Sequence, residues 1–439
     1  MTTRQPQGTT RLRIAIVGSG ISGLGAAWLL QRRGHEVTLF EAEPRLGGHT
    51  HTVDVTLDGI TAPVDTGFLV FNDRTYPKLT ALFDELGVRS VASEMSFAVR
   101  VDDLDLEWAG TALRAVFAQL RNALRPDFWR MLADIVRFNR TAVAAAEVAG
   151  GTTLAAFLDD GNYSAPFRDW YLLPMAGAIW SAPRREILAF PLRTFVRFCH
   201  NHGLLQLADR PQWRTVVGGG RSYVERIAAR LDDVRLATPV TRIVRRSRGV
   251  DIQTPGQVEH FDEVVLACHS DQALALLADP SADEAQQLCR VRYQPNRVVL
   301  HTDAALLPRT RRTWSAWNYL ACADGTGERP VCVSYLVNRL QPLPFDRPVI
   351  VTLNPAREPD PRLVLREFSY DHPLLDTAAI EAQAAVNAMQ GLRHTWYAGA
   401  WLGYGFHEDG LASAHAVAAG IDCRAQALAA APAPRRVAA

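Results

Sequence analysis

The decisive stretch runs Leu12-Arg-Ile-Ala-Ile-Val17, Gly18-Ser-Gly20-Ile-Ser-Gly23, Leu24-Gly-Ala-Ala-Trp-Leu-Leu-Gln-Arg-Arg33, Gly34-His35, then Glu36-Val-Thr-Leu-Phe40 and Glu41. Its first six residues form a short apolar run ending at glycine, the pattern of a buried parallel strand. The piece from Leu24 has helical composition, arginines in its last turn and Gly34 as a stop. A second strand follows. Each glycine of the turn then has a task. Gly18 lets the chain leave the strand sharply, Gly20 opens the backbone to a pyrophosphate, and Gly23 lets the helix sit against the sheet. The helix N-terminus supplies N–H groups and the positive end of a dipole for the phosphates. Glu41, at the tip of the second strand, is placed to accept hydrogen bonds from a ribose diol. A glycine-rich turn that binds nothing would share the three glycines alone. Strand, helix, second strand and acid in this order predict dinucleotide binding.

Beyond Glu41 the chain reads Ala42-Glu-Pro-Arg45-Leu-Gly47-Gly48-His49. The glycine pair allows a second close approach to the phosphates, and Arg45 can neutralise them. With this element the sequence resembles the flavin-containing amine oxidase superfamily, which includes monoamine oxidases, protoporphyrinogen oxidases and phytoene desaturases. The resemblance implies FAD rather than NAD, with Ser22, Ala42, Arg45, Gly47, Gly48 and His49 joining the first turn and Glu41 around it. Pro63-Val-Asp-Thr66-Gly67-Phe68 resembles the segment beside the isoalloxazine ring, so Thr66, Gly67 and Phe68 are expected there. Gly218 to Leu231 resembles the element that returns the chain to the nucleotide domain. Thr238-Pro-Val240 resembles the strand whose backbone meets the adenine, at Val240, and Glu263 to Ala267 resembles the strand after it. Trp396-Tyr-Ala-Gly399-Ala400 and Gly403-Tyr-Gly-Phe-His-Glu-Asp-Gly410-Leu411 resemble the closing strand and helix. They imply cofactor contacts from Gly399, Gly410 and Leu411, with the helix N-terminus aimed at the pyrimidine end of the flavin.

The implied fold class is α/β: a Rossmann-like FAD-binding domain of the GR2 type with an inserted α+β substrate-binding domain. The expected FAD domain is discontinuous, over residues 1–85, 215–285 and 390–430. The inserts 86–214 and 286–389 would form the substrate domain, and 431–439 a flexible tail. His49 to Val55, Asp65 to Pro77 and Gly403 to Leu411 bring the chain nearer to a bacterial subgroup of NAD/FAD-binding proteins that often accompany cyclopropane-fatty-acid-synthase-like enzymes in lipid modification. The resemblance therefore implies an FAD-dependent oxidoreductase. It would pass a hydride equivalent between a hydrophobic substrate, fatty-acyl or isoprenoid-like, and flavin N5.

Three departures bear on the alternative, oxidation of a primary or secondary amine. Monoamine-oxidase-like members hold a water against flavin N5 with a lysine; the match here falls at Asn296-Arg297, and arginine is bulkier and stays charged. Gly410 stands where an aromatic residue of the amine cage is expected. Gly399-Ala400 replaces a glycine–acid pair. A non-catalytic flavoprotein partner of a lipid-modifying enzyme is a further alternative. Because the cofactor carries the hard step, no protein acid or base is obligatory. The candidates are Tyr404 and His407, the latter because an imidazole titrating near neutrality can deliver a proton. His407 or Glu408 could instead only hydrogen-bond the flavin or the helix end. Trp314, Trp317 and Tyr319 are expected as pocket wall or as packing, and the aromatic first insert as core or as a tunnel for a lipid-like molecule. His200 and His202 read as structural, and with no third ligand nearby no metal site is expected.

Composition sets the outer limits. Apolar residues at 48% and charged residues at 21% are globular proportions and exclude a disordered or fibrous chain. Lys+Arg at 47 against Asp+Glu at 46 removes any bulk electrostatic case for nucleic acid. Lys78 is the one lysine, so arginine supplies the other 46 of the 47 basic residues and any lysine chemistry must use that position. Cys199, Cys268, Cys289, Cys322, Cys332 and Cys423 contain no C-x-x-C pair, which suits a reducing, cytoplasmic compartment. The leader to Arg11 is polar and reads as a frayed end. No run is apolar enough to cross a bilayer. Arg242, Arg245, Arg246 and Arg248 are expected on a solvated face, with transient contact at the inner face of a membrane as the minority reading. The electron acceptor stays open.

Overall fold

The computed structural model describes residues 10–206, 210–321 and 331–430. The expected tail, most of the leader and Cys322 lie outside the described residues. The described residues form two compact units: one from Met1–Gly48, Tyr223–Val291 and Glu381–Ala439, the other from His49–Ser222 and Arg292–Ile380.

The first unit holds the decisive stretch. Its elements are β1 (Arg13–Val17), α1 (Ile21–Arg32), β2 (Glu36–Phe40), β3 (Asp233–Arg235), β4 (Glu263–Leu266), β5 (Thr395–Tyr397) and α2 (His407–Ala430). The strands lie in the order β3-β2-β1-β4-β5, all parallel. That is five of the six places of the 3-2-1-4-5-6 order of a doubly wound nucleotide-binding sheet. After its exposed first residue every position of β1 and β2 is buried, as strands covered on both faces require. Helices α1 and α2 pack at glycines: a Cβ at Gly25 would meet Leu411 Cδ1 at 2.7 Å, and one at Gly410 would meet Ser22 Oγ at 2.7 Å.

Val234 belongs to the parallel edge strand β3, and Arg242–Arg245, Val250–Thr254 and Gln257–Phe261 form an antiparallel meander. One expectation is corrected in this unit: the arginine run is not uniformly solvated. Alternation along its strand puts Ile243 and Arg245 on the inner side. Arg245, with a side chain 1% exposed, donates to Glu284 (2.5 and 3.0 Å) and to Asp279 (3.0 Å). Tyr397 also donates to Glu284, at 2.8 Å. Burial opposes the charge on Glu284, but Arg245 prevails and holds the carboxyl down at about 2.

The second unit contains a seven-stranded sheet in the order Val364–Pro373, Tyr293–His301, Ile350–Leu353, Cys332–Leu336, Trp317–Ala321, Phe97–Val101, Leu106–Ala109. Only the Trp317–Ala321/Phe97–Val101 pair is parallel. Its apolar side chains share a core with Phe128 and Met131 of the helix Pro126–Val148 and Ala178 of Leu173–Trp180. The rings of the insert pack on one another; Phe138 lies 5.5 Å from Phe167 and 5.8 Å from Tyr163. Trp314 donates to the Pro308 carbonyl, and Trp317 meets Tyr335 edge-on at 4.9 Å, so both do packing work.

Residues 49–85 and 215–222, expected with the FAD domain, belong to this second unit. The reason is a buried latch. The hairpin Thr52–Leu57/Ile60–Asp65 turns through Asp58 and Gly59, both at positive φ, and ends at Asp65. The Asp65 carboxylate accepts from the Thr52 hydroxyl, from Gly220 N (2.9 Å) and from Gln341 Nε2 (2.7 Å), while Asp65 N donates to Gln341 Oε1 at 3.0 Å. Burial raises this carboxyl to about 6 in spite of those donors.

Two tests follow from these buried charges. Arg245→Ala leaves Glu284 buried beside two neutral donors, the Tyr397 hydroxyl and Ser281 N, and should cost about 3–5 kcal/mol, read as a lowered chemical-denaturation midpoint. For Asp65 the folded pKa lies above the unfolded one. The native state therefore holds the extra proton between about 4 and 6, and stability falls as pH rises through that window and levels off above it. Denaturation curves of Asp65→Asn across the window should lack this component of the decline.

Candidate functional site

The first unit brings the two glycine-rich turns together. Gly18 has φ +100° and a Cβ there would meet the Ala267 carbonyl oxygen at 2.7 Å; a Cβ at Gly23 would lie 1.9 Å from the Gly18 carbonyl oxygen. Both glycines are demanded by the approach of α1 to the tips of β1 and β4. Gly20 is different: nothing lies within 4 Å of where its Cβ would be. It is the N-cap of α1 with no capping side chain, and the first turn carries no acid. An uncapped helix end over open space is the donor set a pyrophosphate requires. The second turn closes on the first. Gly47 N donates to the Ser19 carbonyl at 3.1 Å, a Cβ at Gly48 would reach the Gly20 Cα at 3.2 Å, and Arg45 braces the turn through the Gly48 carbonyl at 2.8 Å.

Glu41 uses one carboxylate oxygen on Ser19 N (2.9 Å) and the Ser19 hydroxyl, and the other on Glu43 N (2.9 Å). A carboxylate offers about four acceptor positions, so one is left for a ribose hydroxyl. The loop bearing Val240 runs beside it, with Thr238 N donating to the Glu41 carbonyl at 2.8 Å. Ala42 lies exposed in the bend and Ser22 is buried.

At the closing end the start of α2 meets α1. Gly410 N is already bonded to the Phe406 carbonyl at 3.0 Å, and the Gly410 and Leu411 side faces are taken by α1. These two residues join the helices; the first turn of α2 is His407 to Asp409. Asp409 reaches back to accept from Phe406 N at 2.9 Å, which shapes the turn carrying Tyr404. Burial raises the Asp409 carboxyl to about 6. Gly399 lacks a Cβ because one would meet Trp401 Nε1 at 2.3 Å, and its N–H donates to Ser413 Oγ. His407 hydrogen-bonds the Tyr223 hydroxyl at 3.2 Å, and burial lowers its pKa to about 3. The expected proton donor near neutrality is therefore a neutral imidazole.

The second unit holds the remaining predicted residues. A Cβ at Gly67 would lie 2.1 Å from the His49 carbonyl oxygen, which also accepts from Phe68 N at 3.0 Å. Thr66 donates to the His51 carbonyl at 2.9 Å and meets the Tyr370 hydroxyl at 2.7 Å; Tyr370 also bonds His51 Nδ1 at 3.0 Å. His49 stacks near Tyr370 and His372, at 5.2 and 5.4 Å. His51, Tyr370 and His372 are absent from the sequence reading. The available signal is alternation: His49/His51 and Phe368/Tyr370/His372 each fall on one side of an extended chain. His202, as expected, is structural: it stacks on Phe198 at 3.9 Å, and burial lowers its pKa to about 4. The described residues contain no group able to hold a metal ion, and the five described cysteines are free.

A 3-2-1-4-5 parallel sheet with an uncapped, open helix start and a bracing arginine–diglycine turn is the framework of a dinucleotide-binding flavoprotein. The family model for flavin containing amine oxidoreductases matches residues 21–342, and the chain belongs to that family of FAD-dependent oxidoreductases. The carotenoid phi-ring synthase of Streptomyces griseus is 29% identical over 65% of this chain and 58% of its own length, so the match spans under two thirds of that relative. Among solved structures, a CLA-producing fatty acid isomerase from P. acnes superposes with a TM-score of 0.63 at 17% identity over 92% of this chain and 98% of its own. Cyclohexylamine oxidase from Brevibacterium oxydans does so with 0.67 at 18% over 94% and 99%. At these identities the two likenesses show the shared fold.

Gly20 and Gly23 separate binding from folding. Gly20→Asp places a side chain and a negative charge in the open approach, so flavin content on purification should drop more than about tenfold while circular dichroism is unchanged. Gly23→Ala forces α1 off the sheet at a cost of about 3 kcal/mol or more and should reduce flavin content and melting temperature together.

Proposed function

We propose that this chain is an FAD-dependent oxidoreductase of a hydrophobic substrate, fatty-acyl or isoprenoid-like, rather than of an amine. FAD, when bound, accepts a hydride equivalent from a substrate carbon. Gly20, the α1 N-terminus, Arg45 and Glu41 would hold its nucleotide half.

The observation that carries the substrate reading is the fate of the lysine position. Asn296 is fully buried and consumed by the sheet: its amide donates to the Gln294 carbonyl at 2.9 Å and accepts from Asn354 at 2.7 Å. Arg297 projects outward into ion pairs with Glu358 and Glu367. Lys78 is exposed on the helix Pro77–Leu86. None of the three supplies a neutral-capable amine above a flavin. Gly410 argues the same way, because any side chain there collides with Ser22 and with Ile21 Cγ2 at 2.8 Å, which leaves no room for a cage aromatic. The names of two similar proteins, a carotenoid ring synthase and a fatty acid isomerase, point to substrates of this apolar class. His407, neutral across the physiological range, serves as a hydrogen-bonding partner of Tyr223 and positions the turn that bears Tyr404.

Anaerobic stopped-flow mixing of the flavin-loaded protein tests the reading. A lipid extract should bleach the oxidised flavin band, with mass spectrometry identifying the changed lipid, whereas a panel of primary and secondary amines should leave it intact. Bleaching by an amine alone would establish the alternative.

A further inference from the structure

We propose that the surface formed by Leu113, Leu120, Leu124 and Trp129 seats the protein on an anionic lipid surface. Among the described large apolar residues only four are more than three-quarters exposed: Leu113 at 79%, Leu120 at 83%, Leu124 at 85% and Val148 at 86%. Three of them fall within twelve residues of one another in the second unit, on the short helix Leu113–Val116 and the turn Leu120–Leu124. Trp129, 52% exposed, joins them from the start of Pro126–Val148. Its indole N–H donates to the Ala123 carbonyl at 2.9 Å and its ring lies 5.4 Å from Phe117, which ties helix, turn and long helix into one face. Leaving three leucines in water at one place is costly unless something covers them.

Charge says what covers them. Each exposed apolar residue is followed directly by an arginine: Leu113-Arg114, Leu120-Arg121, Leu124-Arg125 and Trp129-Arg130. From Ala112 to Arg130 there are four arginines and one acid, Asp127, in a chain whose net charge is +1. Arg121 leans on Asp105 and Arg130 on Asp127 at 3.7 Å, but both pairs are exposed and such pairs exchange readily. Apolar tips set among arginines, with a tryptophan at the margin, match the layering of an anionic bilayer interface: acyl chains, then phosphates. A second copy docking face to face would set these arginines against their own kind. The arginine run at 242–248 is a poorer candidate, since Arg245 is buried on Glu284 and Arg246 pairs with Asp251. Among the described residues no helix is long and apolar enough to cross a membrane, so the contact is with the surface.

Co-sedimentation of the flavin-loaded protein with vesicles tests this without turnover, so its failure leaves the substrate reading untouched. The protein should sediment with phosphatidylcholine vesicles containing about 30% phosphatidylglycerol and stay in solution with phosphatidylcholine alone. Binding should weaken about tenfold or more in the Leu120→Gln/Leu124→Gln variant and in about 0.5 M NaCl. Both leucines are exposed, so the variant should keep its flavin spectrum and melting temperature. Arg121→Gln/Arg125→Gln, a second variant, should flatten the salt dependence. Wild-type protein left in solution with the anionic vesicles, or a leucine variant that sediments like wild type, would overturn the proposal. So would a wild-type dimer in light scattering that the leucine variant dissolves, which would assign the face to a second copy.

Discussion

The nucleotide end of this molecule depends on a missing methyl group. The Gly18 carbonyl oxygen lies 1.9 Å from where a Cβ of Gly23 would be, with the Ala267 Cβ 3.2 Å away on the other side. Helix α1 is thereby drawn down onto the tips of β1 and β4. Everything beyond it inherits that position: Ser19 faces Glu41, Gly47 reaches Ser19, and Gly48 closes over Gly20. A helix displaced by one carbon would carry its unpaired first-turn N–H groups away from any phosphate resting there. Close packing and ligand recognition are thus a single geometric condition.

The same economy governs the helix pair. Gly25 on α1 accepts Leu411, and Gly410 on α2 accepts Ile21 and Ser22, so the two helices interlock through reciprocal vacancies. Gly410 and Leu411, expected at the cofactor, form this joint. The arginine-rich composition has its own structural expression. Arg235 spans Asp233 and Glu259, and Arg297 spans Glu358 and Glu367, each with the forked geometry that lysine cannot reproduce. Most of these pairs are exposed and contribute little individually. The buried Arg245–Glu284 contact is an exception, because neither partner can return to water without the other.

The opening β–α–β unit was legible because its signals are local: turn, helix start, helix stop and acid all fall within thirty residues. The family resemblance extended that reading to β4, β5 and α2. The second unit was far less legible. Its sheet joins strands such as Phe97–Val101 and Trp317–Ala321, whose pairing no short window records, and the Asp65 latch needs Gly220 and Gln341 from remote parts of the chain. His407 shows a different limit: an imidazole's residue type announces titration near neutrality, whereas burial lowers its pKa. At Arg245 the strand period was present in the sequence, but a cluster of arginines read as surface outweighed it.

The interruption of the first unit has a consequence for how the chain is made. On the ribosome β1, α1 and β2 emerge first, yet the neighbour of β1 on its other side, β4, arrives only after His49–Ser222, and the outer strand β5 only after Arg292–Ile380 as well. Until α2 is translated, Ile21, Ser22 and Gly25 of α1 lack the cover that Gly410, Leu411 and Ala414 give them. The nascent polypeptide must therefore carry a half-built, strand-edged intermediate through most of its synthesis, the kind of species that invites aggregation or chaperone capture.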